Sequence, residues 1–152
     1  SIARNISLAS LKSFTYGGWL IRNQQEVSHA KKMVDLLGVG TTSVKQLARN
    51  LSGGNQQKVV LAKWLSTNAK IFIFDEPTIG VDVRGKEEIY KIVKEIANDG
   101  AGVIFVTSDP EEGWSICSRL LVLFEGEIVA NVNPKKITLA QLTSFVMGGT
   151  QK

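Results

Sequence analysis

Residues 71–82, which read IFIFDEPTIGVD, constrain the fold of this chain more than any other stretch. The first four residues are apolar, and they lead directly into Asp75 and Glu76 and then into Pro77. A short apolar run bounded by turn residues is typical of a strand buried on both faces in a parallel sheet. Because proline cannot donate to the hydrogen-bond ladder, we expect the strand to end at the acids. The two carboxylates are therefore predicted at the carboxyl end of a strand, where open α/β sheets bind ligands.

Two carboxylates beside a buried strand need a physical reason. They are costly there unless a cation, a proton or a substrate requires them. In P-loop NTPases, an acid that ends such a strand holds Mg²⁺ beside the nucleotide phosphates. The plainer alternative is a solvated strand end without a ligand.

The second informative stretch is LSGGNQQK, residues 51–58. Ser52 suits a helix N-cap, Gly53 and Gly54 allow close approach of a ligand, and an apolar-rich segment continues as a helix. The start of such a helix offers free N–H groups and the positive end of the helix dipole, which favours phosphate. Ser-Gly-Gly also occurs in ordinary loops, so the motif alone leaves both interpretations open.

Composition limits the class of protein. The chain has 152 residues, 43% of them hydrophobic and 21% charged, which favours a globular domain with a real core. A net charge of +4 without any block of like charges gives no argument for nucleic acid. The single cysteine, Cys117, excludes an internal disulfide and favours a reducing compartment. We see no apolar run long enough for a membrane span, and we expect no secretory signal.

The other predicted elements alternate as in an α/β domain. Residues 1–18 are expected to be loosely structured, and the sole histidine, His29, is expected on a solvated surface. Helices are predicted at residues 23–37, 84–97, 111–118 and 138–147, a strand at 103–107, and a hairpin at 120–124 and 127–131 around Glu125-Gly126.

One apparent phosphate loop is rejected. Residues 80–87 match the spacing G-x-x-x-x-G-K, but the next position must be Ser or Thr to hold Mg²⁺ and here is Glu87. Its carboxylate would repel phosphate. No other candidate phosphate loop is found in this sequence.

The two informative stretches together resemble motifs of a known family. LSGGNQQK followed by IFIFDEPTIGVDV resembles the signature motif, Walker B strand and D-loop of ATP-binding cassette (ABC) ATPases. The longer spellings LSGGNQQKVVLAKWL and DEPTIGVDVRGK are most similar to the second cassette of the double-cassette ATPase subunits of sugar importers, of the ribose and galactose type. The resemblance extends from about Ile2 to Gly149 and implies an α/β fold, a partial P-loop NTPase cassette with a helical subdomain and part of the catalytic sheet.

The resemblance also implies cofactors, ATP and Mg²⁺, and roles for single residues. By resemblance, Asp75 helps to hold Mg²⁺, and Glu76 orients or activates the attacking water. Asp82 matches the D-loop acid that acts across a dimer of cassettes. The residues implied to contact the γ-phosphate of ATP held by the opposite cassette are Ser52, Gly53, Gly54 and Gln56.

Two departures from the family pattern affect the expected activity. The Walker A loop, the adenine-stacking aromatic and the glutamine loop have no counterpart in this sequence, so we expect the chain alone to be inactive. Ser108 stands where the family's catalytic switch histidine is expected. Serine is often found there in the second cassette of sugar importers, and we keep Ser108 as a candidate catalytic position.

The expected organisation is a helical (signature) subdomain in residues 1–68 and the C-terminal part of the catalytic core in residues 69–152. The implied function is ATP hydrolysis that powers sugar import. The implied partners are a second cassette, transmembrane permease subunits and, indirectly, a sugar-binding protein, with no nucleic acid. The implied location is cytoplasmic, on the inner face of the cell membrane. Two alternatives are a non-catalytic module that completes another cassette and a nucleic-acid-associated ABC ATPase.

Overall fold

The structure, a computed structural model, describes residues 1–67 and 69–149. The chain divides into two units, the first formed by Ser1–Phe72 with Thr78–Gly102 and the second by Ile73–Pro77 with Val103–Lys152. The predicted division after residue 68 stays a prediction. Within the described residues, no helix has the length and apolar character needed to cross a membrane.

The helices and strands are, in chain order, α1 (Ile2–Ser7), β1 (Thr15–Tyr16), β2 (Leu20–Ile21), α2 (Asn23–Leu36), α3 (Gly53–Leu65), β3 (Ile71–Asp75), α4 (Val83–Asn98), β4 (Gly102–Val106), α5 (Pro110–Ile116), β5 (Leu120–Phe124), β6 (Glu127–Val132) and α6 (Leu139–Val146). Short 3-10 segments cover Leu8–Phe14, Ala48–Asn50 and Pro134–Lys136.

The expectation of a loosely structured start is wrong, because α1 is an ordered helix. The Ser1 hydroxyl caps it by accepting a hydrogen bond from the Arg4 amide at 3.3 Å. Ile2 and Ile6 lie four residues apart on one helical face and are fully buried, in a helix that packs on α2 and α3. A helix of six residues is too short to show a sustained apolar period, so the sequence pattern did not reveal it.

Helices α2 and α4 of the first unit lie where the sequence predicted them. Four apolar residues of α4 face inward, as predicted: Ile89, Ile92, Val93 and Ile96. Helix α2 ends one residue before the predicted limit, and Gly38 follows it with a φ of +58°, the left-handed conformation that favours glycine after a helix.

Strands β3 and β4 form a parallel pair. Their directions follow from the hydrogen bonds at the two ends. The Gly102 amide donates to the Lys70 carbonyl at 2.8 Å, and the Glu76 amide donates to the Val106 carbonyl at 3.0 Å. Strand β3 ends at Asp75, as predicted.

The prediction that β3 is buried on both faces is wrong for the described residues. Phe72 and Phe74 are buried, whereas Ile71 and Ile73 on the opposite face are each 67% exposed. The run is uniformly apolar, so its composition cannot distinguish a strand covered on one face from one covered on two. Only packing by other segments decides that, and among residues 1–67 and 69–149 one face is left open.

The second unit has its own small core beneath a hairpin. Strands β5 and β6 pair antiparallel around Glu125 and Gly126, whose φ values of +50° and +86° suit a two-residue type I′ turn, so the predicted hairpin is confirmed. Helix α6 begins with a capping box formed by Thr138 and Gln141. The buried core residues here are Val122, Ala130, Val132 and Leu142.

Candidate functional site

The signature motif, residues 51–58, occupies the start of α3, as predicted. Ser52 stands at the N-cap position with extended backbone, but its hydroxyl does not cap the helix. The Asn55 side-chain amide instead donates from Nδ2 to Ser52 Oγ at 2.9 Å. The Gly40 amide donates to Asn55 Oδ1 at 2.7 Å, which fixes the orientation of that side-chain amide. Ser52 therefore takes the predicted N-cap position, but without the side-chain hydrogen bond that an N-cap residue usually makes.

This arrangement leaves hydrogen-bond donors at the start of α3. The Gln56 amide donates to the Ser52 carbonyl at 2.9 Å, so the amides of Gly53, Gly54 and Asn55 have no carbonyl partner within the helix. Because Ser52 Oγ accepts from Asn55, its own proton remains available for donation. Ser52 and Gly53 are exposed. The start of α3 therefore offers several donors together with the positive end of the helix dipole, which suits an anion.

The Gln56 side chain is oriented back toward its own loop. Its Nε2 donates to the Leu51 carbonyl at 2.8 Å. That bond uses one of its donors and leaves its side-chain oxygen for another partner. Gln56 is exposed, so a ligand can reach it.

The D-loop, residues 78–82, lies directly against the signature motif in the first unit. A Cβ placed on Gly53 would lie 3.1 Å from the Gly80 carbonyl oxygen, so a larger residue would crowd the contact. Asp82 caps α4, since its Oδ1 accepts from the Gly85 amide at 2.7 Å. The structure thus brings Asp82 and the signature residues into one unit.

The acids at the end of β3 belong to the second unit together with Ser108. The Ser108 amide donates to Glu76 Oε1 at 2.7 Å, so the structure joins these two predicted positions. Glu76 has a φ of +46°, a left-handed conformation that is uncommon for a residue with a side chain. Asp75 is exposed at the strand end. No sequence pattern indicated the unusual backbone of Glu76.

Ser108 contacts Glu76 through its backbone amide, and a network beside it was not predicted. The Thr107 hydroxyl donates to Glu112 Oε2 at 2.8 Å and accepts from the Asp109 amide at 3.0 Å. Glu112 is 4% exposed, so this bond holds a buried carboxylate at the start of α5. The network fixes the segment that presents the Ser108 amide.

The residues present fit a metal that is held mainly by phosphate oxygens. Within residues 1–67 and 69–149, no three His, Cys, Asp or Glu side chains are grouped as a metal site. Mg²⁺ usually binds one or two carboxylates together with substrate phosphates and water. The exposed carboxylate of Asp75 suits that kind of coordination.

Lys58, the last residue of the signature motif, is a buried cation that the sequence reasoning missed. It is 6% exposed, and its Nζ contacts the Gly38 carbonyl oxygen at 2.9 Å and Glu88 Oε2 at 2.7 Å. The hydrogen bond from Lys58 and its positive charge lower the pKa of Glu88. A lysine beside a glutamine run gave no periodic signal of burial.

His29 is partly buried, so the prediction of a solvated histidine is wrong. Its Nε2 lies 2.7 Å from Ser66 Oγ, and its ring packs against Phe14 with centroids 5.0 Å apart. Burial, followed by the nearby charge of Lys32, lowers the pKa of His29.

Comparison with known proteins identifies the family. The family described as ABC transporter matches residues 2–79. The arabinose import ATP-binding protein AraG of Pectobacterium atrosepticum is 39% identical over 147 residues, which are 97% of this chain and 29% of that protein. The ribose import ATP-binding protein RbsA of Lactococcus lactis is 40% identical over 149 residues, which are 98% of this chain and 30% of that protein. This chain therefore spans about three-tenths of the length of these relatives.

A solved ATP-binding cassette of an ABC transporter shares the fold. It superposes with a TM-score of 0.75 at 20% identity and covers 97% of this chain and 59% of its own. This likeness agrees with the predicted α/β fold of a partial cassette. The family match spans the signature motif and the end of β3, the two stretches whose geometry is described above. The chain belongs to the ABC transporter family.

Proposed function

We propose that this chain is part of the ATP-binding subunit of an ABC importer for sugars, in which ATP hydrolysis powers transport. The two import proteins to which it is similar are named for arabinose and ribose, and the similarity extends over almost all of this chain. These relatives give no support to the alternative of a nucleic-acid-associated ATPase, because both are named as import proteins. The alternative of a module that completes another cassette is also consistent with the proposal, because the donors at the start of α3 would act on a partner cassette.

The observation that supports the proposal best is the donor set at the start of α3. Three backbone amides and the Ser52 hydroxyl are uncommitted within the helix, while Asn55 holds that hydroxyl in place. In the proposed function these donors bind the γ-phosphate of ATP carried by a second cassette. Gln56 completes the set with the second N–H of its side-chain amide, because the first donates to the Leu51 carbonyl.

The second unit is proposed to supply the hydrolytic groups. Asp75 would help to hold Mg²⁺, which when bound neutralises phosphate charge. Glu76 would accept a proton from, or orient, the attacking water. The hydrogen bond from the Ser108 amide to Glu76 Oε1 supports this proposal, because it fixes one oxygen of the carboxylate. Asp82, which caps α4, is proposed to act across the pair of cassettes.

The proposed partners are a second cassette, permease subunits and, indirectly, a sugar-binding protein. The proposed location is the cytoplasmic face of the membrane. Nucleic acid is not among the proposed partners, and the mild charge of +4 gives no reason to add it.

The test is ATP-dependent association of this chain with a complete ABC cassette loaded with ATP. A suitable partner is the ribose import relative carrying a Glu→Gln change at its own hydrolytic position, so that ATP persists. We expect association that requires ATP and that Ser52→Ala weakens roughly ten- to a hundredfold, as expected for a lost hydrogen bond to a charged oxygen. The partner's affinity for ATP should not change. Collapse of that affinity with unchanged association would contradict the role assigned to the signature motif.

A matched control is Ser10→Ala, because Ser10 also bears a part-exposed hydroxyl in the first unit but lies outside the signature motif. It should leave association unaltered. The chain alone should show no steady ATP turnover, because the sequence has no complete phosphate loop. Turnover that disappears in Glu76→Gln would contradict this expectation.

A further inference from the structure

Lys58 stands where three helices of the first unit meet. It belongs to α3, it contacts the Gly38 carbonyl just after α2, and it pairs with Glu88 of α4. A buried ammonium is costly unless it is paired and hydrogen-bonded, and here it has both kinds of partner. Its position therefore depends on the mutual placement of all three helices.

A second contact between α3 and α4 lies one turn earlier. Gly54 and Lys58 are four residues apart and share one face of α3. A Cβ placed on Gly54 would lie 3.4 Å from Val81 Cγ1 and 4.0 Å from the Gly85 Cα. The backbones of α3 and α4 thus approach closely at glycines. One turn further along α3, the Lys58–Glu88 ion pair joins the same two helices.

Val81 of the D-loop fills the space between those glycines. A Cβ placed on Gly85 would lie only 2.5 Å from Val81 Cγ1, so Gly85 has no room for a larger residue in this packing. The D-loop side chain is therefore packed between the first turns of α3 and α4. Any displacement of α3 from α4 would move the signature amides relative to the D-loop.

We infer that Lys58 is a positioning residue: with Glu88 and the Gly38 carbonyl it fixes the signature helix against α4, so that the signature amides and the D-loop keep one arrangement. This inference rests on the proposed function for its consequence, since that arrangement would present the donors and Asp82 to a partner together. Lys58 itself is 6% exposed and is not a contact for the ligand.

The first arm of the test uses the 152-residue chain without nucleotide. Hydrogen exchange is followed by NMR at Gln56, whose amide bonds to Ser52, and at Val81, whose amide bonds to Thr78. In Lys58→Met we expect exchange at both amides to accelerate together by about tenfold, the scale of one lost charged hydrogen bond. The nuclear Overhauser contact between the Val81 methyls and the Gly54 α-protons should weaken.

Three further variants separate positioning from general stability. Lys58→Arg keeps a cation and should restore most of the protection, and Glu88→Gln should show a weaker form of the Lys58→Met effect. Glu87→Gln removes a neighbouring exposed acid of α4 and should change nothing. Because Glu88 is 41% exposed at its side chain, Glu88→Gln should fold even if Lys58→Met does not. Uniform acceleration across α1 to α4, or acceleration at Gln56 without Val81, would overturn the inference.

The second arm measures association with the ATP-loaded cassette. Lys58→Met should weaken association about tenfold without changing the partner's affinity for ATP, and Lys58→Arg should recover it. Full association by Lys58→Met would overturn the functional consequence. Lack of association by the unaltered chain would count against the proposed function alone, because the exchange experiment does not depend on ATP.

Discussion

The signature motif at the start of α3 and the acids at the end of β3 are built in different ways. The donors of α3 arise from the helix itself, and the Asn55–Ser52 bond that shapes them spans only three residues. Glu76, by contrast, depends on the amide of Ser108, which lies 32 residues further along the chain. Its left-handed backbone adds a local cost of about 1–2 kcal/mol. The comparison teaches that the donors of α3 need little more than a formed helix, although their orientation also depends on Gly40 and Lys58, whereas Glu76 requires a correctly paired sheet.

The largest expected effect comes from Gly54→Asp. Its carboxylate would stand among the proposed phosphate donors, so association with an ATP-loaded cassette should fall below detection. An acid in the first turn of a helix is favourable for the helix itself. However, a Cβ on Gly54 would lie 3.4 Å from Val81 Cγ1, so we expect a modest loss of thermal stability with the fold kept. Association is measured by analytical ultracentrifugation, and stability by thermal unfolding.

The control is Val60→Asp, which adds the same charge to an exposed position of α3. It should leave association intact. Normal association of Gly54→Asp would mean that the start of α3 does not meet the phosphate.

The next prediction tests whether the signature motif and the acids at the end of β3 depend on separate hydrophobic cores. Leu61 of α3 and Leu142 of α6 are 2% and 3% exposed, so Leu→Ala at either should cost about 2–5 kcal/mol. We expect Leu61→Ala to lower amide protection in α3 and α4, and Leu142→Ala to lower it in β5 and β6. Hydrogen exchange with mass spectrometry resolves these segments. Equal loss of protection everywhere in both variants would show that the regions unfold as one cooperative unit.

A smaller effect tests the bond that holds Glu76. Glu76→Ala removes the acceptor of the Ser108 amide and should lower the free energy of unfolding by about 1 kcal/mol. Glu76→Gln keeps an acceptor oxygen and should retain most of that stability. Urea unfolding of both variants gives the comparison. If Glu76→Gln lowers the free energy of unfolding as much as Glu76→Ala does, the charge of Glu76 rather than its hydrogen bond stabilises this position.

The smallest expected effect is on the pH dependence of stability, and it arises from His29 in the first unit. The pKa of His29 is lowered by burial and by Lys32, so the unfolded chain binds a proton at a higher pH than the folded chain does. Stability is therefore fully present above about pH 6.5 and is lost as the pH falls through the lower folded pKa. His29→Gln should remove this part of the pH dependence of urea unfolding. If the free energy of unfolding depends on pH equally in the unaltered chain and in His29→Gln, the titration belongs to another group.

Much of the fold could be predicted from local sequence patterns. The apolar face of α4 and the hairpin between β5 and β6 were predicted because each pattern extends over enough residues to define a period or a turn. The short helix α1 was not, because Ile2 and Ile6 become informative only when α2 and α3 cover them.

For the candidate site, too, local features could be predicted from the sequence and long-range contacts could not. The sequence singled out Ser52, Gly53 and Gly54 as candidates, because these residue types favour a helix start with free N–H groups, and their role as an anion site stays a prediction. It did not identify Lys58, whose importance comes from Gly38 and Glu88, at distances of 20 and 30 residues along the chain. No period or motif encodes such a meeting of three helices.

The sequence by itself determined the end of β3 at its acids, the helix that follows Ser52, and the resemblance to ABC ATPases. These depend on proline chemistry, helix ends and residue identity, all of which act locally. Only the tertiary structure decided that Glu76 takes a left-handed backbone against Ser108, that Lys58 is buried, and that Ile71 and Ile73 are exposed on one face. Burial and long-range hydrogen bonds depend on which segments meet in space, and local residue order does not fix that.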